Sequence, residues 1–365
     1  MCTAERRPLP TSTDSSYGDR SEALAQAVLA ASRDGRALRI VGGDTKDFYG
    51  RAVEGETLEV AGHRGVTSYE PSELVITARA GTPITDIEAL LAEHGQMLAF
   101  EPPVFGPAST LGGVVAAGLA GPARPFAGAV RDFVLGVTVL DGDGRALRLG
   151  GTVFKNVAGF DGFRLMAGAL GCLGVLLDVS LRVAPRPRAE VSLAFDEDWP
   201  AARRRILGLM RQPLPLSGAC HDGERLYLRL SGAEGAVAAT AKALGGEETP
   251  MGFWQGVRHM SLPLLSAPRL WRLSLPPAAA PVDPEGRWFR DWGGALMWLE
   301  CEAPADDIRA AAASVGGHAA LFRGARPGEA VFTPMSSPLL ALHRRLKAAF
   351  DPAGVFNPGR MYQEL

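Results

Sequence analysis

The sequence of 365 residues predicts an α+β protein with two domains. Its length corresponds to two domains at roughly 150 residues each. Strand and helix patterns alternate over the first half, and the composition then changes at the linker-like stretch Pro185-Arg186-Pro187-Arg188. We therefore expect a first domain over residues 1–185, a second domain over residues 186–332 and a C-terminal segment over residues 333–365.

Apolar spacing and turn residues define the elements of the first half. Asp141-Gly142-Asp143-Gly144 predicts a hairpin, and Thr85-Asp86-Ile87-Glu88 has the capping-box pattern of a helix start. The predicted helices are Ser21–Ser32 and the one that opens at Thr85 and ends at Gly95. The predicted strands are Ala37–Val41, Leu74–Arg79, Phe133–Leu140, Arg145–Leu149 and Val175–Val183.

The second half has a less regular pattern until its final helix. All six tryptophans fall between Trp199 and Trp298. They either form the core of a small α+β domain, the interpretation we favour, or present a partner-binding surface. In the final helix, which ends at Asp351-Pro352, Ser337 is the predicted cap and Pro338 the first helical residue. One face of that helix carries Leu339, Leu342 and Leu346.

Composition and charge exclude several classes of function. Lys and Arg number 38 against 40 for Asp and Glu, so the chain has no basic footprint for nucleic acid. The four cysteines lack CxxC spacing, which argues against a zinc or iron–sulfur site and suits a reducing compartment. The uncharged run Pro102–Ala123 holds too much Pro, Gly and Ser for a membrane span. We expect a cytoplasmic protein without a metal site, a secretory signal or a transmembrane segment.

Two glycine-rich segments have the character of ligand-binding loops. Consecutive glycines after a strand allow neighbouring N–H groups to converge on a phosphate, and such a pair occurs in Val41-Gly42-Gly43-Asp44-Thr45-Lys46. An ordinary turn without a ligand would also contain two adjacent glycines. The second segment, Ser109-Thr110-Leu111-Gly112-Gly113, combines hydroxyl donors with glycines. This combination allows a ligand to approach the backbone closely, but it is equally consistent with tight packing of a helix. Neither segment has the spacing of a Rossmann or P-loop motif.

Two further segments carry charged or rigid residues that a simple core does not need. The first is Lys155-Asn156-Val157-Ala158-Gly159-Phe160-Asp161, followed by the glycine-rich run Gly168–Val175. The second is the tail Phe350–Arg360, whose two rigid turns hold Asn357 between them and so place one polar side chain accurately.

Taken together, the order and spacing of these four segments resemble the FAD-binding oxidase family typified by p-cresol methylhydroxylase and vanillyl-alcohol oxidase. The resemblance implies a two-subdomain FAD-binding domain of the PCMH type, a small α+β cap domain, and a C-terminal tail that returns to the FAD domain. Within the family, the chain is most similar to the FAD-binding subunits of bacterial glycolate oxidase complexes.

The resemblance also implies which residues contact FAD. The glycine loop would wrap the pyrophosphate, the second segment would line the flavin cleft, and the tail would lie near the isoalloxazine. The implied cofactor-binding residues are Val41, Gly42, Gly43, Asp44, Thr45, Lys46, Ser109, Thr110, Gly112, Gly113, Lys155, Asn156, Gly159, Asp161, Gly174, Val175, Asn357 and Arg360. Because the glycine loop lacks the His or Cys of members with covalent FAD, we predict non-covalent FAD.

The reaction that the resemblance implies is oxidation of a CH–OH group, with hydride transfer from glycolate to flavin and glyoxylate as product. Partner flavoprotein and iron–sulfur subunits would complete the complex and would make the chain peripheral to the inner face of the plasma membrane. No base is identified; His318 is a candidate catalytic residue, and Arg323 and Arg360 are candidates for a carboxylate clamp. Two alternatives stay open: an assembly subunit that holds flavin without its own redox chemistry, and a stand-alone FAD-dependent oxidase of an unknown alcohol.

Overall fold

A computed structural model describes residues 18–152 and 161–365. The predicted site residues Lys155, Asn156 and Gly159 lie outside the described residues. The helices are α1 (Ser21–Asp34), α2 (Ile84–Glu93), α3 (Leu111–Ala117), α4 (Arg124–Ala127), α5 (Val130–Phe133), α6 (Trp199–Leu209), α7 (Glu234–Leu244), α8 (Gly252–Arg258), α9 (Ala305–Ala313) and α10 (Ser337–Phe350). The strands are β1 (Leu38–Val41), β2 (Glu56–Glu59), β3 (Val66–Glu70), β4 (Val75–Arg79), β5 (Gln96–Met97), β6 (Val134–Leu140), β7 (Ala146–Gly150), β8 (Val175–Arg182), β9 (Ala184–Pro185), β10 (Ala189–Phe195), β11 (Leu216–His221), β12 (Leu226–Gly232), β13 (Glu247–Thr249), β14 (Leu270–Ser274), β15 (Arg287–Asp291), β16 (Leu296–Glu300) and β17 (His318–Arg323).

The N-terminal half is built on a five-stranded antiparallel sheet in the order β3-β4-β8-β6-β7. Strands β6 and β7 form the predicted hairpin. Beside this sheet, β1 and β2 pair in parallel. The tail returns to β1, because the Leu38 N–H donates to the Val355 carbonyl at 2.7 Å and the Asn357 N–H donates to the Leu38 carbonyl at 2.9 Å. The predicted α+β fold with a returning C-terminal tail is confirmed.

One apolar core joins the tail to the N-terminal half. Val28 of α1, Leu91 of α2, Val139 of β6 and Phe356 of the tail are all fully buried in it. Each such side chain stabilises the fold by roughly 1.5–3 kcal/mol relative to an exposed position. The tail is therefore part of the structural core of this half, although it lies far from β1 in the sequence.

Residues 189–323, which we call the cap, fold around an eight-stranded antiparallel sheet in the order β13-β10-β12-β11-β15-β16-β14-β17. The chain changes sheets between Pro185 and Ala189, inside the predicted linker, and the domain boundaries themselves stay a prediction. Strands such as β16 and β17 are buried along nearly their whole length. Buried strands of this kind lack apolar–polar alternation, which explains why the sequence pattern is irregular here.

The tryptophans of the cap lie mainly in its interior. Trp288 is half-buried, and the others are at most 8% exposed. The buried ones are Trp199, Trp254, Trp271, Trp292 and Trp298. This burial favours the core interpretation over a partner-binding surface.

Both predicted helix caps are wrong. Helix α2 begins at Ile84 after Pro83, so Thr85 lies within the first turn and no side chain caps the helix. The extended backbone of Pro83 sets the start of the helix two residues earlier than the capping-box pattern indicates, with Pro83 and not Thr85 in the cap position. Helix α10 begins at Ser337 with Ser336 in the cap position, and the Ser336 side chain makes no capping bond.

Helix α10 buries a different face from the one that its leucines indicate. Leu339 is 44% and Leu342 57% exposed, and only Leu346 packs against the core. The side chain that α10 buries is instead Lys347, whose Nζ donates to the Cys172 and Phe356 carbonyls and to the Asp351 carboxylate. The apolar spacing thus predicts the helix correctly but not its orientation.

Candidate cofactor and substrate site

A cleft opens where the loop after β1, helix α3 and the tail meet. It consists of two adjoining hollows of about 560 and about 610 Å³, which include space open to solvent. One has mostly apolar walls, and the other is bordered by charged side chains. Both cavities are lined by Ile40, Gly42, Thr110, Gly113, Ala116, Leu170 and Asn357. The predicted residues that line at least one of them are Val41, Gly42, Gly43, Asp44, Thr45, Lys46, Thr110, Gly112, Gly113, Gly174, Asn357 and Arg360.

Close backbone approach explains the glycines of this cleft. A Cβ atom on Gly43 would lie 1.5 Å from the carbonyl oxygen of Ala108, and one on Gly42 would lie 2.5 Å from the Thr110 hydroxyl. A Cβ atom on Gly112 would lie 2.8 Å from that of Ala80. Side chains at these positions would force the loop, α3 and β4 apart, so the cleft keeps its shape only with glycine.

The loop after β1 presents a row of unused backbone donors. In the described part of the chain, the N–H groups of Gly42, Gly43, Asp44 and Thr45 have no protein acceptor. Asp44 has a left-handed backbone with a φ of 53°. Successive N–H groups in a turn of this type form a concave anion-binding site. The loop therefore fits a diphosphate, which backbone donors can hold without a strong positive charge.

Side chains hold this loop in place. The Thr45 and Ser109 hydroxyls are hydrogen-bonded at 2.9 Å, which ties the loop to the segment before α3. Arg360 donates to the Arg51 carbonyl at 2.9 Å and to the Asp47 carbonyl at 3.1 Å. It also pairs with the Asp47 carboxylate at 3.2 Å. Because both terminal nitrogens of Arg360 donate inside the protein, this residue positions the loop. Its role as a clamp for a substrate carboxylate stays a prediction.

Asn357 joins three parts of the cleft. Its backbone is left-handed, with a φ of 40°. Its side-chain oxygen accepts from the Ile40 N–H at 2.8 Å, and its amide nitrogen donates to the Leu170 carbonyl at 2.7 Å. Both polar atoms of the Asn357 side chain are therefore occupied by protein partners. Asn357 holds β1 and the segment of residues 168–174 next to each other in the wall of the cleft.

Three of the predicted cofactor residues do not line either cavity. Asp161 is exposed and forms an ion pair with Arg164 at 3.1 Å. Val175 is fully buried in the core of the N-terminal half. Ser109 is fully buried as well and reaches the loop only through Thr45. The sequence pattern identifies the segments but not which side chain in each faces the cleft.

Lys46 stands at the border between the cleft and the cap. Burial lowers the pKa of its amine to about 8. The amine lies 5.8 Å from the centre of the Phe105 ring. Phe105 in turn contacts Phe48, with ring centres 5.2 Å apart. Phe48 and Phe105 belong with Tyr49 to an apolar cluster that joins the cap to the N-terminal half.

The candidate catalytic residues Arg323 and His318 lie on strand β17 of the cap. Arg323 donates through one nitrogen to the Leu265 and Ala267 carbonyls and lies 5.0 Å from the Phe48 ring centre. His318 is exposed. Partial burial and the nearby charge of Arg272 lower the pKa of His318. Neither side chain lines the cleft, so their catalytic roles stay predictions.

The sequence analysis missed a pair of arginines beside this junction. Arg124 of α4 and Arg272 of β14 both lie against the ring of Trp292, at 4.2 and 5.3 Å from its centre. Burial lowers the pKa of each guanidinium. Arg124 directly follows the uncharged run Pro102–Ala123, and Arg272 lies in the second half, where the sequence pattern is irregular. No local pattern connects two positions so far apart in the chain.

Comparison with known protein families agrees with this geometry. Residues 18–150 match the family described as FAD binding domain, and residues 329–361 match FAD linked oxidases, C-terminal domain. The chain is 50% identical over 348 residues to glycolate oxidase subunit GlcE of Escherichia coli, covering 95% of this chain and 99% of that protein. It is 30% identical over 139 residues to glycolate oxidase subunit GlcD of Bacillus subtilis, covering 38% of this chain and 30% of that protein.

Solved structures show the same fold. Alkyldihydroxyacetonephosphate synthase superposes with a TM-score of 0.64 at 15% identity, covering 92% of this chain and 75% of that one. The chain is therefore a member of the FAD-linked oxidases, and within them it belongs to the family of glycolate oxidase subunit GlcE. FAD is its cofactor, and it is a FAD-dependent oxidoreductase. In the described residues, no helix is long and apolar enough to cross a bilayer.

Proposed function

We propose that the chain is the FAD-holding subunit of a multi-subunit enzyme that oxidises glycolate, or a closely related small 2-hydroxyacid, to the 2-oxoacid. The observation that carries the proposal is the row of unused N–H groups from Gly42 to Thr45. These groups lie in a cleft that is bordered by the cationic side chains of Arg39, Lys46 and Arg360. Near full-length similarity to a protein named as a glycolate oxidase subunit supports the substrate class and the existence of partner subunits.

The cleft residues divide into two roles in this proposal. The N–H groups of Gly42–Thr45 bind the diphosphate, and Gly112 and Gly113 leave room for a flat ring system against the backbone. Asn357 and Arg360 hold the loop in position. FAD, when bound, supplies the acceptor for the hydride that leaves the hydroxyl-bearing carbon. Among the described residues, no His, Cys or Tyr side chain lines either cavity, which supports non-covalent FAD.

The first experiment tests FAD binding at the glycine loop. Gly43→Ala is expected to lower the FAD content of the purified protein at least about tenfold, because the added methyl group would displace the loop from the Ala108 carbonyl. The measurement is visible absorption before and after acid precipitation, which also shows whether FAD is covalent. Gly208→Ala is the matched control, since its Cβ meets nothing within 4 Å. A folded Gly43→Ala variant with full FAD content would contradict the assignment.

A second experiment concerns the reaction and its partners. We propose that a partner flavoprotein and an iron–sulfur subunit complete the enzyme, and that the complex is cytoplasmic and peripheral to the plasma membrane. Glycolate should bleach the flavin of this chain within the assembled complex. Flavin that stays oxidised there while the complex turns over glycolate would favour an assembly subunit without its own redox chemistry. Turnover by the isolated chain with an artificial acceptor would favour a stand-alone oxidase.

A further inference from the structure

Two guanidinium groups meet at one indole ring on the border between the cap and the N-terminal half. Arg124 lies 4.2 Å and Arg272 5.3 Å from the centre of the Trp292 ring. The sole hydrogen bond of the Arg272 side chain within the described ranges goes to the Ser274 hydroxyl, at 3.1 Å. Both arginines are partly accessible. The two cations therefore flank one ring, and the charge of Arg272 acts on Arg124. Neither has a carboxylate partner among residues 18–152 and 161–365.

The nearest acidic groups do not neutralise this pair. Asp132 favours the charged form of Arg124 from a distance, but its carboxylate accepts from the Ala129 N–H and pairs with Arg164. Asp291 directs a carboxylate oxygen to the Trp292 N–H at 2.7 Å. Burial lowers the pKa of each arginine, and the charge of Arg272 lowers that of Arg124 further. A bound anion would relieve this repulsion.

The indole between the two arginines is held in a fixed position. Trp292 has a left-handed backbone with a φ of 54°, which a bulky residue rarely adopts. Its ring nitrogen donates to the Gly121 carbonyl at 3.0 Å, across the border between the two halves. Strained positions of this kind persist where the surroundings fix them and are common at ligand sites. The arginines are thus presented by a rigid support.

We infer that Arg124 and Arg272 bind the carboxylate of the substrate, an assignment that rests on the proposed function. Guanidinium groups form strong, charge-assisted hydrogen bonds to carboxylates. Tyr49 adds a hydroxyl group that makes no hydrogen bond to a described residue, and the charge of Arg272 partly offsets the rise that burial causes in the Tyr49 pKa. Because Arg124 belongs to the N-terminal half and Arg272 to the cap, the substrate would bridge both.

Isothermal titration with oxalate tests the site without requiring turnover. Oxalate carries carboxylates and has no C–H bond from which hydride can leave. It should bind the wild-type protein, and Arg124→Gln and Arg272→Gln should each weaken binding at least about tenfold. Arg204→Gln, which removes an exposed arginine of α6, is the matched control and should change binding less than about twofold. Ethylene glycol, which has hydroxyls but no carboxylate, should not compete.

The titration is run on protein with and without added FAD, and circular dichroism establishes that each variant is folded. Equal oxalate affinity in the wild type and in folded Arg272→Gln would overturn the assignment, as would the absence of oxalate binding under both conditions. FAD content is measured separately on the same samples. Loss of FAD with retained, arginine-dependent oxalate binding would contradict the proposed function and leave the carboxylate site standing.

Discussion

At the scale of single residues, burial controls the charge of Lys46. Its amine has no ion pair with a carboxylate in the described ranges and lies 5.8 Å from the centre of the Phe105 ring. Burial alone lowers its pKa to about 8. A diphosphate bound to the adjacent N–H groups would stabilise the protonated amine. The charge of Lys46 is therefore coupled to whether the cleft is occupied.

Lys46→Met should remove a pH dependence from the stability of FAD-free protein. The folded pKa of about 8 lies below the ordinary value of 10.5, so the unfolded chain binds more protons between these pH values. Stability therefore rises with pH across that window, by no more than about 3 kcal/mol, and this rise should disappear in the variant. Urea unfolding at both ends of the window measures it. Lys242→Met, at an exposed lysine of α7, should keep the rise.

At the scale of secondary-structure elements, one buried amine anchors helix α10. Lys347→Met would leave the Asp351 carboxylate, which is 1% exposed, without its cation, and would leave the Cys172 and Phe356 carbonyls without their donor. We expect a loss of about 3 kcal/mol in the free energy of unfolding. Chemical denaturation provides the measurement. The control is Arg345→Met on the exposed face of the same helix, for which we expect a change within about 0.5 kcal/mol.

Local sequence patterns predict most elements of the N-terminal half. The hairpin at Asp141–Gly144 and the end of α10 at Asp351 follow from turn residues and proline, whose effects act within a few positions. The orientation of α10 does not follow from its leucines, because the bonds of Lys347 to Cys172 and Phe356 depend on the tertiary fold. Local patterns therefore predict the type and approximate bounds of an element, but not which of its faces is buried.

The same division holds for the candidate site. The glycine loop is recognisable because Gly42 and Gly43 are adjacent in the chain. Gly43 is required by its contact with the Ala108 carbonyl, and Gly42 by its contact with the Thr110 side chain. Arg124 and Arg272 come together only through packing of the cap on the N-terminal half, so their isolated positions in the sequence carry no signal. The sequence offers Arg360 as a candidate carboxylate clamp, whereas in the structure its terminal nitrogens hold the loop.

At the scale of the whole molecule, a buried ion pair joins the cap to the N-terminal half. Arg229 of β12 pairs with Glu101 at 2.8 Å, and both side chains are at most 10% exposed. Glu101 also accepts from the Ala123 N–H at 3.0 Å, just before Arg124. The nearby Asp291 has its pKa raised to about 7 by burial, and the charge of Arg229 limits that rise. This pair therefore supports the region that holds Trp292.

Arg229→Met should cost about 3–5 kcal/mol of unfolding free energy, because it leaves Glu101 buried without a cation. The double variant Arg229→Met with Glu101→Gln should be less destabilised than the single variant, since the uncompensated charge is removed as well. Denaturant unfolding of the two single variants and the double variant gives the coupling energy between the partners. Simple additivity of the two changes would show that the pair does not act as a unit.

The return of the tail to β1 also determines when the cofactor cleft is completed during synthesis. Asn357 and Arg360, which fix the cleft wall and the glycine loop, are translated after the whole cap. While these residues are still inside the ribosome, the loop has its backbone donors but lacks the side chains that orient them. We therefore expect FAD to be retained only after the tail has left the ribosome, so that a nascent chain stalled before Val355 should lose the cofactor.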